Sequence, residues 1–286
     1  MLRLKKASVG TKIVFGVVFI LFVFYALAIL YALFFCLNAS LKDGGRQFIA
    51  DNVSLSRPPK FRNYVDAFSA LTLGETTFFG MLGNSVWYAL GNAFFNIASS
   101  CLAAYVVCKY KFFGRNFLYG LVLVVMMIPI YGALPAKYRM LHKLGMIDSP
   151  LILLSAAGGF DFSFLIIYAF FKNVPWSYAE AAFIDGASHT KVFFKIMLPM
   201  ALPAISAIFV TNFIGNWNNY DAPLLFLSNM PTLASGLFVY ERKIQYLANQ
   251  PIYFAGVIIS LIPILIIFAV FQNSIMQNVY AGGLKG

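Results

Sequence analysis

Charge is scarce in this chain: of 286 residues only 11% are Asp, Glu, Lys or Arg, and the acidic ones number 10. Soluble domains keep roughly a quarter of their residues charged. A chain that is 61% hydrophobic, with a mean hydropathy of +0.79, lacks the polar surface to dissolve, and reads as a polytopic integral membrane protein. Histidine is almost missing as well. His142 and His189 are alone, and without H-E-x-x-H or G-x-S-x-G neither a metalloprotease nor a serine-hydrolase site finds support, nor does any metal site. No G-x-x-x-x-G-K-[ST] loop is present, so the chain shows no means of binding ATP itself. Cys36, Cys101 and Cys108 sit in apolar segments without a C-x-x-C pair. They read as packing residues and leave the redox compartment open. Neither an internal repeat nor a low-complexity linker divides the chain, so residues 1–286 read as one membrane domain.

What charge there is runs positive, with a formal net of +11. In a soluble protein that would suggest nucleic acid. Here the basic residues lie in short connections between apolar runs, where Lys and Arg mark the cytoplasmic side, and no nucleic-acid partner is expected. A helix needs about 20 apolar residues to cross the hydrocarbon core. Six segments qualify, at about 13–38, 83–108, 116–135, 150–171, 200–228 and 252–279. The first follows Arg3, Lys5 and Lys6, but its apolar run exceeds a signal-peptide core, which favours an uncleaved helix. Six crossings put both termini on one side. Basic residues divide almost evenly between the two sides; the N-terminal cluster and the KYKFFGR turn at 109–115 favour cytoplasmic termini.

Between the fourth and fifth segments the chain interrupts itself with EAAFIDGASHTKVFFKIMLP, residues 180–199. Ser177 followed by Glu180 three residues later predicts a capping box that starts a short helix, with Pro175 stiffening the approach. Gly186 suits the left-handed position that ends such a helix. A second helix is expected from Ser188 to Pro199. Ala179, Ala181 and Ala182 would let another surface come close, Phe183 and Ile184 would add apolar contacts, and Lys191 and Lys195 share a face. Two readings stand on these residues: an amphipathic connector resting on lipid headgroups, or a docking element for a partner.

Glu180-Ala181-Ala182, Asp185-Gly186-Ala187, Ile196 and Leu198-Pro199 with Pro203 resemble the EAA motif of permease subunits in binding-protein-dependent ABC importers. The likeness extends over nearly the whole chain, toward the carbohydrate branch of maltose and multiple-sugar type. PPKFRNYVDAF at 58–68, Asn84-Ser85, Ala103-Ala104-Tyr105 before KYKFFGR, Met126-Met127-Ile128-Pro129, Leu144-Gly145 and the ending Gly282-Gly283-Leu284-Lys285-Gly286 are all similar to that branch. The resemblance implies an all-α membrane fold of six transmembrane helices, the type I ABC importer permease fold. It also implies a cytoplasmic coupling helix in the loop at about 172–199. Glu180, Ala181, Ala182, Phe183, Asp185, Gly186 and Lys191 would then contact an ATPase. Its implied partners are a second homologous permease, two ABC ATPase subunits that hold the ATP and Mg, an extracytoplasmic solute-binding protein and membrane lipid. The chain itself would bind no cofactor, perform no catalysis and sit in a bacterial plasma membrane.

Polar groups inside the spans are costly and mark buried or water-facing positions. Asp161 lies in GGFDFSF and matches no feature of that family. Trp217, Asn218, Asn219, Tyr220 and Asp221, ahead of Pro223, break the fifth segment. The family's corresponding stretch is Trp-Asn, then commonly an acid and an aromatic; this chain has Asn219 at the acid's position and Asp221 two residues later. Amides and aromatics suit sugar hydroxyls and pyranose faces, and equally suit hydrogen bonding against a partner permease. The rivals to a sugar importer are a permease for a polyamine or phosphate, which shares the EAA segment, and an ion-coupled secondary transporter using Asp161 and Asp221, which would bind no ATPase.

Overall fold

The structure, a computed structural model, describes residues 9–128, 132–247 and 249–283. The Arg3, Lys5 and Lys6 cluster, Pro129 and the closing Leu284, Lys285 and Gly286 lie outside these. Among the described residues the chain is helical, without a β-strand beyond an isolated bridge between Leu73 and Thr76. It falls into two compact units, one of residues up to Leu71 with Tyr240–Ser260, the other of Thr72–Val239 with the segment from Leu261.

In the first unit α1 (Val9–Ser40) is apolar on every side and exposed along most of its length, burying only Asn38, Ala39 and Ser40 at its end. The loop after it is held by polar side chains. Asn38 donates to the Ser54 carbonyl at 2.8 Å and accepts from the Ser56 N–H at 2.9 Å, and Asn63 donates to the carbonyls of Ser40 and Lys42 at 2.7 and 2.8 Å. Lys42 is fully buried and donates to the Asp51 carbonyl. The N–H of Ser54, with that of Val53 and the charge of Lys42, holds the Asp51 carboxyl below the usual range. Two short helices, α2 (Gly44–Ala50) and α3 (Arg62–Ala70), complete the loop.

The second unit is organised by α4 (Phe78–Lys109), which starts before the expected residue 83 because Thr77 caps it, accepting from the Gly80 N–H at 3.3 Å. Its buried residues Ser85, Ala89, Asn92, Ala93, Ile97, Ser100, Cys101, Ala104 and Tyr105 recur at helical spacing. The small ones among them, Ser85, Ala89, Ala93, Ser100, Cys101 and Ala104, let α7 (Phe162–Asn173) and α10 (Leu198–Trp217) pack against α4; in lipid such close packing replaces the hydrophobic effect as the cohesive force. Following α4 come α5 (Arg115–Met127) and α6 (Ala133–Lys143), then a 3-10 turn at Pro150–Ala156. Past α7, α8 (Ser177–Ile184) and α9 (His189–Val192) form a hairpin, and α10 is followed by α11 (Asp221–Phe226) and α12 (Leu233–Leu247). The last helix, α13 (Gln250–Gly283), carries Pro263 inside it.

Among the described residues four helices are long and apolar enough to cross a membrane: Val9–Ser40, Phe78–Lys109, His189–Trp217 and Gln250–Gln272; Arg115–Met127 and Phe162–Asn173 are apolar but shorter. The expected third segment stops at Met127, with Ile128 extended (φ −87°, ψ 113°), as the residue before a proline is pushed to be. The expected fourth is not one helix: Gly159 takes φ +74° and α7 begins afresh at Phe162. The second hairpin helix does not end at Pro199 either. A π-turn at Phe193–Met197, in which the Leu198 N–H reaches the Phe193 carbonyl, leads unbroken into α10.

Candidate functional site

The two ends of α10 hold the residues singled out in the sequence. At its start, the α8–α9 hairpin turns on Gly186 at φ +77°, with the Gly186 N–H bonded to the Phe183 carbonyl at 3.0 Å and the Ala187 N–H to that of Ala182 at 2.9 Å. These paired bonds satisfy the last carbonyls of α8, a closure that needs a left-handed residue. Ser188 then caps α9, accepting from the Lys191 N–H at 3.3 Å.

The capping box expected at Ser177 and Glu180 is not formed. Trp176 is already helical, and its carbonyl accepts from the N–H groups of Ala179 and Glu180 at 2.9 and 3.2 Å. Ser177 is therefore inside the helix, where its side chain cannot cap. Ala179 differs from expectation too: it is 0% exposed and packed into the core with Val107, Phe171, Val192 and Phe193. Phe183 turns inward, its ring 4.8 Å from His189 and 6.1 Å from Trp176. The outward surface is Glu180, Ala181, Asp185, Gly186 and Lys191 with Ile184, which is 87% exposed; Ala182 is half-buried. Tyr178 of α8 is exposed as well, so the surface carries two large apolar side chains among polar ones.

At the other end, α10 unwinds at Asn218–Tyr220 before α11. Two hollows open here. The larger, about 880 Å³, runs between α7 and α10 and is lined by Asp161, Ser163, Phe170, Thr211, Asn212, Asn216 and Asn219 among others. A smaller one of about 480 Å³ gathers Asn218, Asn219, Tyr220 and Asp221 with Lys137 and Phe226. Asn219 faces both. Trp217 faces neither: it is 3% exposed, its ring stacked on Phe213 at 5.6 Å. Tyr220 stacks flat on Phe238 at 4.2 Å, and Asn218 donates to the Ile214 carbonyl at 3.0 Å.

The larger hollow is braced by a polar network. Asp161 is the N-cap of α7, accepting from the Phe164 N–H at 3.1 Å, from Ser100 at 2.9 Å and from Asn96 at 2.5 Å. Ser163 donates to Asn96 at 2.8 Å, Asn212 to Ser163 at 3.2 Å, and Asn216 to the Asn212 carbonyl at 2.8 Å. A carboxylate in the membrane region is thus given several donors, which offsets its desolvation. Asn96, Ser100, Ser163, Asn212 and Asn216 were not singled out in the sequence. The spacing of Asn212 and Asn216, four residues apart, was the available signal, since it puts two amides on one helix face. The network presents amides and hydroxyls with no nucleophile–base pair, and among the described residues no group of His, Cys, Asp and Glu could hold a metal.

A helical membrane scaffold with a polar groove and an exposed charged hairpin defines a solute-conducting subunit. The family described as binding-protein-dependent transport system inner membrane component matches residues 96–279, which include both ends of α10, and the chain belongs to that family. Among similar proteins is the diacetylchitobiose uptake system permease protein NgcG of Streptomyces coelicolor, 27% identical over 269 residues, 93% of this chain and 87% of the relative. The arabinooligosaccharides transport system permease protein AraQ of Halalkalibacterium halodurans is 30% identical over 226 residues, 78% of this chain and 79% of the relative. In structure the chain is similar to a bacterial ABC transporter involved in import of the acidic polysaccharide alginate. The TM-score is 0.76 at 22% identity, covering 93% of this chain and 98% of that one; this likeness speaks to the fold.

Proposed function

We propose that this chain is a permease subunit of an ATP-driven importer that, with a second homologous permease, forms the path for a sugar or oligosaccharide. The family and the oligosaccharides named for its relatives support the substrate class. The carrying observation is the α7–α10 groove, where Asn212, Asn216, Asn219 and Thr211 offer hydrogen bonds beside Phe162 and Phe170. Neutral amides and hydroxyls match the donors and acceptors of sugar hydroxyls, and ring faces match pyranose C–H surfaces.

An extracytoplasmic binding protein delivers the solute in this reading; a solved alginate transporter of similar fold was crystallised with its solute-bound periplasmic protein. The backbone crosses six times with both termini in the cytoplasm. Four crossings are the long helices. The shorter α5 and α7 complete the set, α7 together with the 3-10 turn ahead of it. The break between turn and helix is tolerable because Asp161 supplies the missing partner at the start of α7. Two ATPase subunits, which carry ATP and Mg, close on ATP and move the exposed α8–α9 hairpin, and the path alternates between inward-open and outward-open. Asp161 does not suit an ion carrier, since its oxygens already serve three donors.

The test is reconstitution of this chain with its partner permease, ATPases and binding protein in proteoliposomes. Uptake of at least one labelled oligosaccharide is expected to require ATP inside and binding protein outside. Uptake driven by a proton or sodium gradient without ATP would overturn the reading.

A further inference from the structure

The proposed function leaves unexplained how the hairpin is fastened to the rest of the second unit. Its obvious connection is the chain itself, through the π-turn into α10. The structure holds a second connection, to the opposite helix. Tyr110, just past the end of α4, has its hydroxyl 2.8 Å from Nδ1 of His189, the first residue of α9. The two rings lie 5.6 Å apart, Tyr110 packs edge-on against Trp176 at 5.9 Å, and His189 lies against Phe183 of α8 at 4.8 Å. One residue earlier, Lys109 donates to the Val174 carbonyl at 2.5 Å, at the point where α7 gives way to the hairpin. Tyr105, one turn back on α4, joins the cluster through Tyr110 at 5.6 Å and Phe193 at 4.9 Å.

We infer that Tyr110 and His189 are positioning residues for energy coupling: their hydrogen bond ties the hairpin to the end of α4, so that displacement of the hairpin is delivered to α4 as well as along α10. The inference rests on the reading of the hairpin as the ATPase contact. Either group can donate in this bond, so it forms with either tautomer of a neutral histidine. The delivery matters because α4 also carries Asn96 and Ser100, which hold Asp161 at the start of α7 beside the groove. The half of α4 from Asn96 to Lys109, bonded near the helix middle to the groove's brace and next to the helix end to the moving hairpin, is a physically continuous link whose coupling the following variants measure.

Three variants in the assembled transporter decide it. Tyr110→Phe removes the hydroxyl and keeps the ring; His189→Leu removes the partner; His189→Asn keeps a polar atom near the position of Nδ1. The readout is the ratio of solute imported to ATP hydrolysed, with ATPase co-purification measured alongside. Tyr110→Phe and His189→Leu are expected to lower that ratio about threefold while the ATPase still co-purifies, the double variant no further than either alone. His189→Asn is expected to restore most of it. A merely structural role would lower uptake and hydrolysis together and leave their ratio unchanged, which overturns the inference, as would a wild-type ratio in both single variants. If no ATPase associates with the wild-type chain, the hairpin reading itself falls, and this inference with it.

Discussion

The two ends of α10 are both interruptions in an apolar chain, yet they are built in opposite ways. At the hairpin the backbone satisfies itself through the paired bonds behind Gly186, aromatic rings turn inward, and charged side chains are left on the outside. At the Asn218–Tyr220 break, asparagine side chains supply many of the bonds, Trp217 packs within the protein, and amides face a groove. An outward-charged knob with a closed backbone can be pushed by another protein without unfolding. A groove walled by side-chain amides can exchange those bonds for a ligand's hydroxyls. Under the proposed function, one end would receive force and the other would meet solute.

Breaking the groove end is expected to have the largest effect. Asp161→Ala removes the cap of α7 and strands Asn96 and the buried Ser100, at a cost of about 3 kcal/mol; a clear fall in the melting temperature of the purified complex checks it. Next comes the hairpin. Gly186 has open space where a Cβ would stand, so its replacement is opposed by backbone conformation alone. Gly186→Val is expected to cost about 1–2 kcal/mol locally and to lose ATPase co-purification, whereas Gly186→Asn, which tolerates the left-handed region, keeps it. Replacing Asn212 and Asn216 together by Leu should lower uptake about 10-fold, the loss that 1.4 kcal/mol of binding produces, with the ATPase still bound. The smallest effect is expected at Ser177→Ala, within about 0.5 kcal/mol of wild type, because Ser177 caps nothing. A large loss there would restore the capping box that the structure does not form.

The hairpin was largely legible in the sequence because turns are local chemistry: Gly186 and Ser188 announce themselves by residue type. Ser177 misled because Trp176 had already entered the helix, a shift of one residue that no motif records. Ala179 misled because its small side chain suits an exposed approach and a tight internal contact alike, and only packing against α4 and α7 decides. The break at Asn218–Asp221 was visible as a run of polar residues, but its orientation was not, so Trp217 was grouped with residues it does not accompany. The brace of the groove was hidden for a different reason. Asn96 and Asp161 are 65 residues apart, and a single sequence carries no sign of which distant polar groups will meet. Unbroken helix was expected where apolar composition ran on through Ile128 and Gly159, since hydropathy does not register a backbone that has left the helix.

The most direct test of the division between the two ends is site-specific crosslinking in the assembled transporter. Single cysteines replace Ala181, exposed on α8, and Asn216, on the groove face of α10. Ala181→Cys is expected to crosslink to an ATPase subunit and Asn216→Cys is not, while solute protects Asn216→Cys from a small thiol reagent. An ATPase that co-purifies but crosslinks at Asn216→Cys and not at Ala181→Cys would contradict the account.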